Sequence, residues 1–183
     1  MSVSAWKIIG GSGFVGSSIL SRLTAEGIEA ESIEAPRLAT QQQDPNGLIR
    51  DARKLEGIID SLADSFAAAD VVINASGLAA PNQKDIAPLL GANALLPAVI
   101  AIAAQRTGVK RLIHLSSAAV QGNRRVLDAS PVTDPFSAYS FSKALGEDVL
   151  LRLADFVEET AAAGVAPGSA KSSFPAAPSF SPV

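Results

Sequence analysis

Near its start the chain reads Trp6-Lys7-Ile8-Ile9-Gly10-Gly11-Ser12-Gly13-Phe14-Val15-Gly16, an apolar run that passes directly into a glycine cluster. The apolar run predicts a strand and the residues after the cluster predict a helix, so the glycines occupy a strand-to-helix turn. In such a turn Gly10 permits the sharp bend, Gly13 lets the backbone approach a pyrophosphate, and Gly16 lets the helix pack closely on the strand. The free N–H groups at the helix start, from Phe14 and Val15 on, would face the anion. The stretch therefore predicts a dinucleotide-binding turn, and a triphosphatase loop is disfavoured because no Gly-Lys-Ser or Gly-Lys-Thr follows.

Apolar, β-branched runs alternate with helical patterns along the rest of the chain, as in βαβ units on a parallel sheet. The expected strands are Trp6 to Gly10, Glu29 to Glu34, Leu48 to Asp51, Val71 to Ala75 and Arg111 to Ser116. The expected helices are Phe14 to Glu26, Arg53 to Ala68, Ile86 to Thr107 and Pro135 to about Glu159. We therefore expect an α/β fold with a Rossmann-like, doubly wound parallel sheet in the strand order 3-2-1-4-5, incomplete after strand five. Its ligand crevice is expected at the carboxyl ends of the strands.

The composition changes after Phe156, first to Ala161-Ala162-Ala163-Gly164-Val165-Ala166-Pro167-Gly168-Ser169 and then to Ser, Pro and Ala with scattered Phe. This stretch has no apolar periodicity and too little bulk to offset the entropy of the chain. We expect one dinucleotide-binding domain over residues 1–159 and a disordered tail over residues 160–183, with no sixth strand in it.

Composition excludes several classes of function. With 183 residues, 48% of them hydrophobic, the chain is long enough to bury the core of one globular domain. A formal net charge of −3 gives no basic footprint for nucleic acid or for an anionic membrane. The chain has no cysteine and His114 is its one histidine, so we expect neither a disulfide nor a metal site. The start of the chain lacks the features of a secretory signal, which makes the cytoplasm the expected location.

One uncharged segment, Ile86 to Gln105, has about the length that spans a bilayer. Proline, glycine and asparagine interrupt it at Pro88, Gly91, Asn93 and Pro97, and it lies between two strand-like runs. A buried crossover helix is therefore the preferred interpretation.

A carboxylate is expected next to the glycine turn. Glu34 follows Gly16 by eighteen residues, at the expected end of the second strand, where it could accept the adenosine ribose hydroxyls and repel a 2′-phosphate. This position favours NAD. Arg37 lies three residues further on and could instead pair with a 2′-phosphate, so NADP stays open, and both residues could also be solvated loop charges.

A second motif, Tyr139-Ser140-Phe141-Ser142-Lys143, places a phenol and an ammonium one helical turn apart. Together with Gly10-x-x-Gly13-x-x-Gly16, Asn74-Ala75-Ser76-Gly77 and Ser116-Ser117-Ala118-Ala119-Val120, it resembles the short-chain dehydrogenase/reductase superfamily in order and spacing. The glycine spacing and the Ser-Ser-Ala-Ala-Val run are similar to its extended branch, the NAD-dependent epimerases and dehydratases, which act largely on nucleotide sugars. The resemblance covers about residues 5 to 154.

The resemblance implies three catalytic residues. Ser117 matches the family's catalytic serine, Tyr139 its acid/base, and Lys143 its lysine that holds the cofactor. The chemistry of these groups agrees with such roles, because a cation one turn away stabilises the phenolate that Tyr139 needs as a proton acceptor. Ser117, at the end of a strand, would hydrogen-bond the same substrate oxygen and orient it.

Further positions match the family's cofactor site. Asp51 matches an acid beside the adenine, Ala75, Ser76 and Gly77 match the turn that lines the adenosine side, and Asn93 matches a helix asparagine near the active site. Ordinary structural roles are open for each of them: Asp51 could cap a helix, Gly77 could serve a loop, and Asn93 could satisfy backbone groups.

The chain also departs from the family pattern. Gln121 replaces the tyrosine common after Ser-x-x-Val, and Ile9 stands where a threonine is frequent. The family continues after the catalytic helix into another strand and a C-terminal substrate domain, which the last residues here do not resemble. The sheet would then end in an exposed edge, or the chain would form a homodimer along the catalytic helix.

Three hypotheses about function follow. The chain is an NAD(P)-dependent oxidoreductase or epimerase/dehydratase that acts on a hydroxyl or keto carbon of a small molecule such as a nucleotide sugar. Alternatively, it is a dinucleotide-binding module without turnover, or a truncated product of a longer epimerase gene.

Overall fold

Four parallel strands form the sheet within the part of the chain that the structure, a computed structural model, describes: residues 5–80 and 85–162, with side chains up to residue 155. They are β1 (Trp6–Ile9), β2 (Ala30–Ile33), β3 (Val71–Asn74) and β4 (Arg111–His114), in the order β2-β1-β3-β4. Each neighbouring pair is parallel and in register, so Ile9, Asn74 and His114 end their strands side by side. Strands 2-1-4-5 of the predicted order are thereby confirmed.

Helices connect the strands and cover the sheet. They are α1 (Phe14–Ala25), α2 (Pro45–Arg53), α3 (Glu56–Ser65), α4 (Ala87–Leu90), α5 (Leu96–Thr107) and α6 (Ala138–Ala162). A π-helical turn (Gly91–Leu95) joins α4 to α5, and a 3₁₀ turn (Ala118–Gln121) follows β4. Helix α1 packs against β1 and β2, α5 packs against β3 and β4, and α2, α3 and α6 pack around α5. The predicted α/β fold is correct.

The predicted strand Leu48–Asp51 is wrong, because these residues lie inside α2. Asp44 caps this helix by accepting a hydrogen bond of 2.7 Å from the N–H of Gly47, and Pro45 occupies the first turn, where no N–H is needed. Leu48, Ile49 and Ala52 are buried on one side of the helix, in the core. The apolar Leu-Ile pair suits a strand and a helix equally, and the capping residues decide for the helix.

The helical stretch Ala87–Thr107 is the centre of the core. By length and composition it could cross a membrane, with a mean hydropathy of 1.9 in its most apolar window, but 83% of that window is buried inside the protein. Every residue from Leu96 to Ala104 is buried, and the stretch packs against α3 and α6. Its apolar composition is thus explained by contact with the rest of this chain.

Two glycines bring backbone into direct contact with the π turn. A Cβ on Gly91 would overlap the carbonyl oxygen of Leu38, in the loop after β2. In α6, a Cβ on Gly146 would overlap the carbonyl oxygen of Asn93. The π turn therefore contacts both the loop after β2 and α6 through backbone atoms, with no side chain in between at these two points.

The C-terminal ends of the helices agree with the predictions only in part. Gly27 and Gly108 have positive φ angles of 71° and 69° directly after α1 and α5, as expected of helix C-termini. Helix α6 continues to Ala162 and so includes the first three residues of the predicted tail of residues 160–183, and the rest of that tail lies outside the described residues.

Candidate cofactor and acid–base site

The glycine turn has the geometry that the sequence predicts. Gly10 has a φ of +80°, and a Cβ on it would lie 2.9 Å from the Cα of Ser76. A Cβ on Gly16 would overlap the carbonyl oxygen of Gly10, so α1 can approach β1 this closely only without a side chain there. The N–H of Gly13 closes the turn with a hydrogen bond of 3.0 Å to Gly10. The turn therefore joins the end of β1 to the loop after β3.

The first turn of α1 is open to an anion. Gly13 is the N-cap residue and has no side chain with which to bond the free N–H groups, and no acidic residue lies in the first turn. Phe14 is 90% exposed and Val15 is exposed as well. Unpaired N–H groups at a helix N-terminus, beside apolar surface, suit the pyrophosphate of a dinucleotide.

Glu34 and Arg37 lie where the sequence places them, after β2. The N–H of Gly10 binds the carbonyl oxygen of Ile33, so Glu34 follows directly beside the glycine turn. Both side chains are exposed, and neither makes an ion pair within residues 5–80 and 85–162. Their roles toward a ribose or a 2′-phosphate stay predictions.

The structure removes the reason for placing Asp51 beside an adenine. Its predicted place at the end of a strand does not exist, and its carboxylate instead forms an ion pair of 2.7 Å with Lys54, one turn along α2. The capping role that was weighed for Asp51 belongs to Asp44. Contact of Asp51 with an adenine stays untested.

The ends of β3 and β4 are joined by a side-chain network. The Oδ1 of Asn74 accepts the N–H and the hydroxyl of Ser76, which fixes the amide so that its Nδ2 donates to the Nδ1 of His114 at 3.0 Å. The proton of the neutral imidazole must then be on Nε2, which is buried and has no partner within the described part of the chain. Burial, assisted by the charge of Lys143, lowers the pKa of His114 from 6.5 to about 4. His114 is thus bonded to Asn74, which in turn binds Ser76 in the loop after β3, and we interpret it as a structural residue.

Lys143 carries a buried positive charge at the same end of the sheet. The side chain is 5% exposed, and its Nζ donates a hydrogen bond of 3.0 Å to the carbonyl oxygen of Leu115, just after β4. A Cβ on Gly77 would lie 3.0 Å from this Nζ, so the ammonium lies against the turn after β3. Burial lowers the pKa of Lys143, and the carboxylate of Glu147 partly opposes that effect. Within residues 5–80 and 85–162 no carboxylate forms an ion pair with it.

Tyr139 lies one turn before Lys143, in the first turn of α6. It is partly buried, and its hydroxyl has no hydrogen-bond partner among the described residues. The helix start is fixed by two serines that cap each other: Ser137 accepts the N–H of Ser140 at 3.1 Å, and Ser140 accepts the N–H of Ser137 at 2.9 Å. The phenol therefore lies on a capped helical turn, and its hydroxyl is available to a ligand as far as the described residues are concerned.

Ser117 directly precedes the 3₁₀ turn after β4. Its backbone is extended and its Oγ accepts the N–H of Ala119 at 3.2 Å, which leaves the hydroxyl proton free to donate. The sequence predicted this position at the strand end. Its catalytic role, like those of Tyr139 and Lys143, stays a prediction that the geometry permits.

Sequence reasoning missed two serines in the Tyr-x-x-x-Lys segment. Ser140 caps α6, and Ser142 is buried and bonded to Asn93, at a distance of 2.9 Å between the Nδ2 and the Oγ. A Ser-x-x-Ser pair at a helix start is a capping signal that could have been found. The bond between Asn93 and Ser142 spans 49 residues and depends on the tertiary packing.

A model of the family "NAD dependent epimerase/dehydratase family" matches residues 6–167 of this chain. The chain belongs to that family. The match covers the glycine turn, the serine pair after β4 and the Tyr-x-x-x-Lys segment together, which confirms the resemblance stated from the motifs.

This member of the epimerase/dehydratase family is similar to a curated ketoreductase. A curated protein of Stigmatella aurantiaca, "4-hydroxy-2-methyl-3-oxo-4-farnesyl-3,4-dihydroquinoline-1-oxide ketoreductase", is 29% identical over 153 residues. These residues are 79% of this chain and 44% of that protein.

Solved structures show the same fold. The structure of MoeE5 in complex with UDP-glucuronic acid and NAD matches with a TM-score of 0.65 at 22% identity, covering 82% of this chain and 50% of that one. A UDP-glucuronic acid 4-epimerase of Bacillus cereus, in complex with UDP-glucuronic acid and NAD, matches with a TM-score of 0.64 at 18% identity, covering 82% and 52%. The chain therefore spans about half the length of the proteins it matches.

Proposed function

We propose that this chain binds NAD(P) and carries the acid–base residues of an oxidoreductase or epimerase that acts on a hydroxyl or keto carbon. The observation that carries the proposal is the buried ammonium of Lys143, one turn after Tyr139, at the carboxyl ends of β3 and β4. A buried charge without an ion-pair partner lowers the stability of the fold. Such charges are concentrated at functional sites, where they interact with a bound group. Membership in the family supports the same conclusion.

The residues present fit a dinucleotide. The open first turn of α1 would hold the pyrophosphate, Glu34 would accept ribose hydroxyls at the adenosine end, and Lys143 would donate to the second ribose. NAD is the first choice because Glu34 stands beside the glycine turn and would repel a 2′-phosphate. The neighbours MoeE5 and the Bacillus cereus epimerase, both in complex with NAD, support this choice.

The chain's own residues would handle the proton. In the oxidation of an alcohol, the Oη of Tyr139 would accept the proton of the substrate hydroxyl, while Ser117 donates a hydrogen bond to the same substrate oxygen. In the reduction of a ketone, Tyr139 returns the proton. When bound, the nicotinamide supplies the other half of the chemistry as acceptor or donor of the hydride.

The substrate class is best proposed as a nucleotide sugar, because the neighbours MoeE5 and the Bacillus cereus epimerase bind UDP-glucuronic acid. A lipophilic ketone is the second candidate, since the ketoreductase is 29% identical. The loop between Gln121 and Tyr139 favours this candidate: Val126 and Phe136 in it are largely exposed. A homodimer along α6 stays a further proposal, which light scattering of the purified chain tests.

The experiment is a titration followed by an assay. Calorimetry with NAD(H) and NADP(H) measures binding. Absorbance at the reduced-nicotinamide band measures net oxidation or reduction of UDP-glucuronic acid, UDP-glucose and a lipophilic cyclic ketone, and chromatography of the nucleotide sugars detects epimerisation, which returns the hydride and leaves no net absorbance change. We expect NAD(H) binding and turnover that Tyr139→Phe abolishes while binding is kept. Binding without any turnover would support the second hypothesis, a dinucleotide-binding module, which the half-length match to the relatives favours. Absence of binding by all four dinucleotides would refute both.

A further inference from the structure

Gln121, the last residue of the 3₁₀ turn after β4, is 7% exposed although its side chain is polar. Both ends of its amide are used: the Oε1 accepts the N–H of Asp128 at 3.1 Å, and the Nε2 donates to the carbonyl oxygens of Asp128 at 2.8 Å and of Ser130 at 3.2 Å. The N–H of Ser130 in turn donates to the Oδ1 of Asp128 at 3.0 Å. The loop that leaves the 3₁₀ turn is thus bonded back to the residue at which it begins.

The base of this loop, which runs from Gly122 to Asp134, is closed by main-chain contacts. The N–H of Asp134 donates a hydrogen bond of 2.8 Å to the carbonyl oxygen of Val120. Gly122 has a φ of +69°, and a Cβ on it would overlap the carbonyl oxygen of Asp134. Two separate sets of bonds, at the base and at the buried amide, therefore hold a stretch that contains neither a helix nor a strand.

The loop lies at the same edge of the sheet as the candidate acid–base residues. Gln121 belongs to the 3₁₀ turn that Ser117 begins, and this turn packs against α6, whose first turn carries Tyr139. After the loop, the N–H of Phe136 donates to the Oγ of Ser140 at 3.0 Å, which ties the chain to the start of α6. Both ends of the loop are therefore attached to the elements that carry the serine and the phenol.

The part of the loop between these attachments is exposed. Val126 and Leu127 are 74% and 51% exposed. Beside them, the guanidinium groups of Arg124 and Arg125 form no ion pair within residues 5–80 and 85–162. Apolar and cationic groups are thus available there to a molecule bound beside the acid–base residues.

We propose that Gln121 is a positioning residue whose amide holds the loop Gly122–Asp134 in one conformation, and that this loop contacts the part of the substrate away from the reacting carbon. A loop that is ordered before binding lowers the entropic cost of binding. Contacts far from the reacting carbon act alike on the bound substrate and on the transition state, so they change KM more than kcat. The role toward the substrate rests on the proposed function, whereas the hold on the loop does not.

The first measurement is limited proteolysis of the cofactor-free protein with trypsin, which cleaves after Arg124 and Arg125 only when the loop opens locally. Gln121→Met fills a similar volume without hydrogen bonds, so we expect fragments that end at these arginines to form about 10-fold faster than in the wild type. Gln105→Met is the matched control. Gln105 is exposed on α5 and its amide has no hydrogen bond among the described residues, so this variant is cleaved at the wild-type rate.

The second measurement is turnover with NAD⁺ and UDP-glucuronic acid or, if the wild type turns over that compound instead, the lipophilic cyclic ketone. In Gln121→Met the KM for the substrate rises about 10-fold while kcat changes less than about 3-fold. Calorimetry gives an unchanged Kd for NAD, because the loop does not contact the glycine turn. Gln105→Met keeps the wild-type values in both assays.

Equal rates of cleavage in the wild type and in folded Gln121→Met overturn the hold on the loop. Faster cleavage with an unchanged KM overturns the role toward the substrate. Should Gln121→Met fail to fold, Gln121→Glu, which keeps the shape but cannot donate to the two carbonyl oxygens, replaces it with the same expected direction and the same overturning results. Faster cleavage in a protein whose wild type turns over neither compound refutes the proposed function together with the role toward the substrate, and leaves the hold of Gln121 on the loop standing.

Discussion

The Nζ of Lys143 and the carbonyl oxygen of Leu115 are 3.0 Å apart, and this hydrogen bond attaches α6 to the end of β4. The bond gives the ammonium one neutral partner, in a place from which water is largely excluded. A carbonyl compensates only part of the cost of burying a charge.

Replacement of Lys143 therefore separates stability from function. We expect Lys143→Met to lower kcat by about 100-fold or more. The free energy of unfolding of the cofactor-free protein stays equal or rises by about 1 kcal/mol, because a buried charge is replaced by an apolar chain of similar length. Urea denaturation beside the turnover assay checks both. Lys54→Met, which removes only an exposed pair with Asp51, is the control and changes neither. A large loss of stability in Lys143→Met would contradict this account.

His114 makes stability depend on pH. Its pKa is lowered from 6.5 to about 4 in the folded protein, so between these values the unfolded chain binds more protons. Above about pH 6.5 the imidazole is neutral in both states and does not affect the free energy of unfolding. As the pH falls from 6.5 to about 4, the free energy of unfolding decreases by about 3 kcal/mol. Denaturation curves of wild type and His114→Gln at pH 4 to 7 measure the difference. Parallel pH profiles for the two proteins would rule the effect out.

Gly146 and Gly57 form a matched pair of helix glycines. A Cβ on Gly146 would overlap the carbonyl of Asn93, and backbone lies on both sides, so Gly146→Ala should destabilise the protein by about 1–3 kcal/mol. Nothing lies within 4 Å of a Cβ on Gly57, in α3, so Gly57→Ala should stabilise it by about 0.5 kcal/mol. Chemical denaturation measures both, and equal effects would contradict the close contact of α6 with the π turn.

Asp44 tests the helix at Pro45–Arg53. Loss of the N-cap in Asp44→Ala should cost about 1 kcal/mol of unfolding free energy, and Asp44→Asn, which can still cap, should cost much less. Thermal denaturation compares the two. If this segment were a strand, the two variants would behave alike.

Glu34 tests the choice between dinucleotides. Glu34→Gln should weaken NAD binding and bring the affinities for NAD and NADP closer together, because the carboxylate no longer repels a 2′-phosphate. Asp51→Asn, on α2 beside Lys54, is the control and should leave both affinities unchanged. Calorimetric titrations decide, and a decrease in affinity only in Asp51→Asn would restore the adenine role that the sequence suggested.

The parts of this protein that local sequence determines were predicted correctly. The turn Gly10–Gly16 needs glycine for reasons of backbone geometry alone. The helix ends predicted at Glu26 and Thr107 agree with α1 and α5, because the glycines that follow, Gly27 and Gly108, take the positive φ angles that end a helix. The continuous apolar run of β3 belongs to an inner strand that is mostly buried, as expected of a strand covered on both faces, whereas β4 lies at an edge of the described sheet and its residues are exposed or only partly buried.

The errors and omissions have physical causes as well. Leu48-Ile49 carries no period that distinguishes a strand from a buried helix, and the cap at Asp44 that decides for the helix was overlooked. The bond between Asn93 and Ser142 could not be read from spacing, because it depends on how closely two helices pack. Gly91 and Gly146 permit that packing, yet in sequence they look like ordinary helix-weakening residues.

The backbone contacts on the two sides of the π turn have a mechanical consequence. The segment that would meet the adenosine touches it at Gly91, and the helix that carries the phenol and the ammonium touches it at Gly146. At these two points the contacts of the π turn are made by main-chain atoms, which a change of side-chain rotamer does not alter. A side chain at Gly91 or Gly146 would have to separate segments that now touch, so we expect a substitution at either position to displace both the loop after β2 and α6.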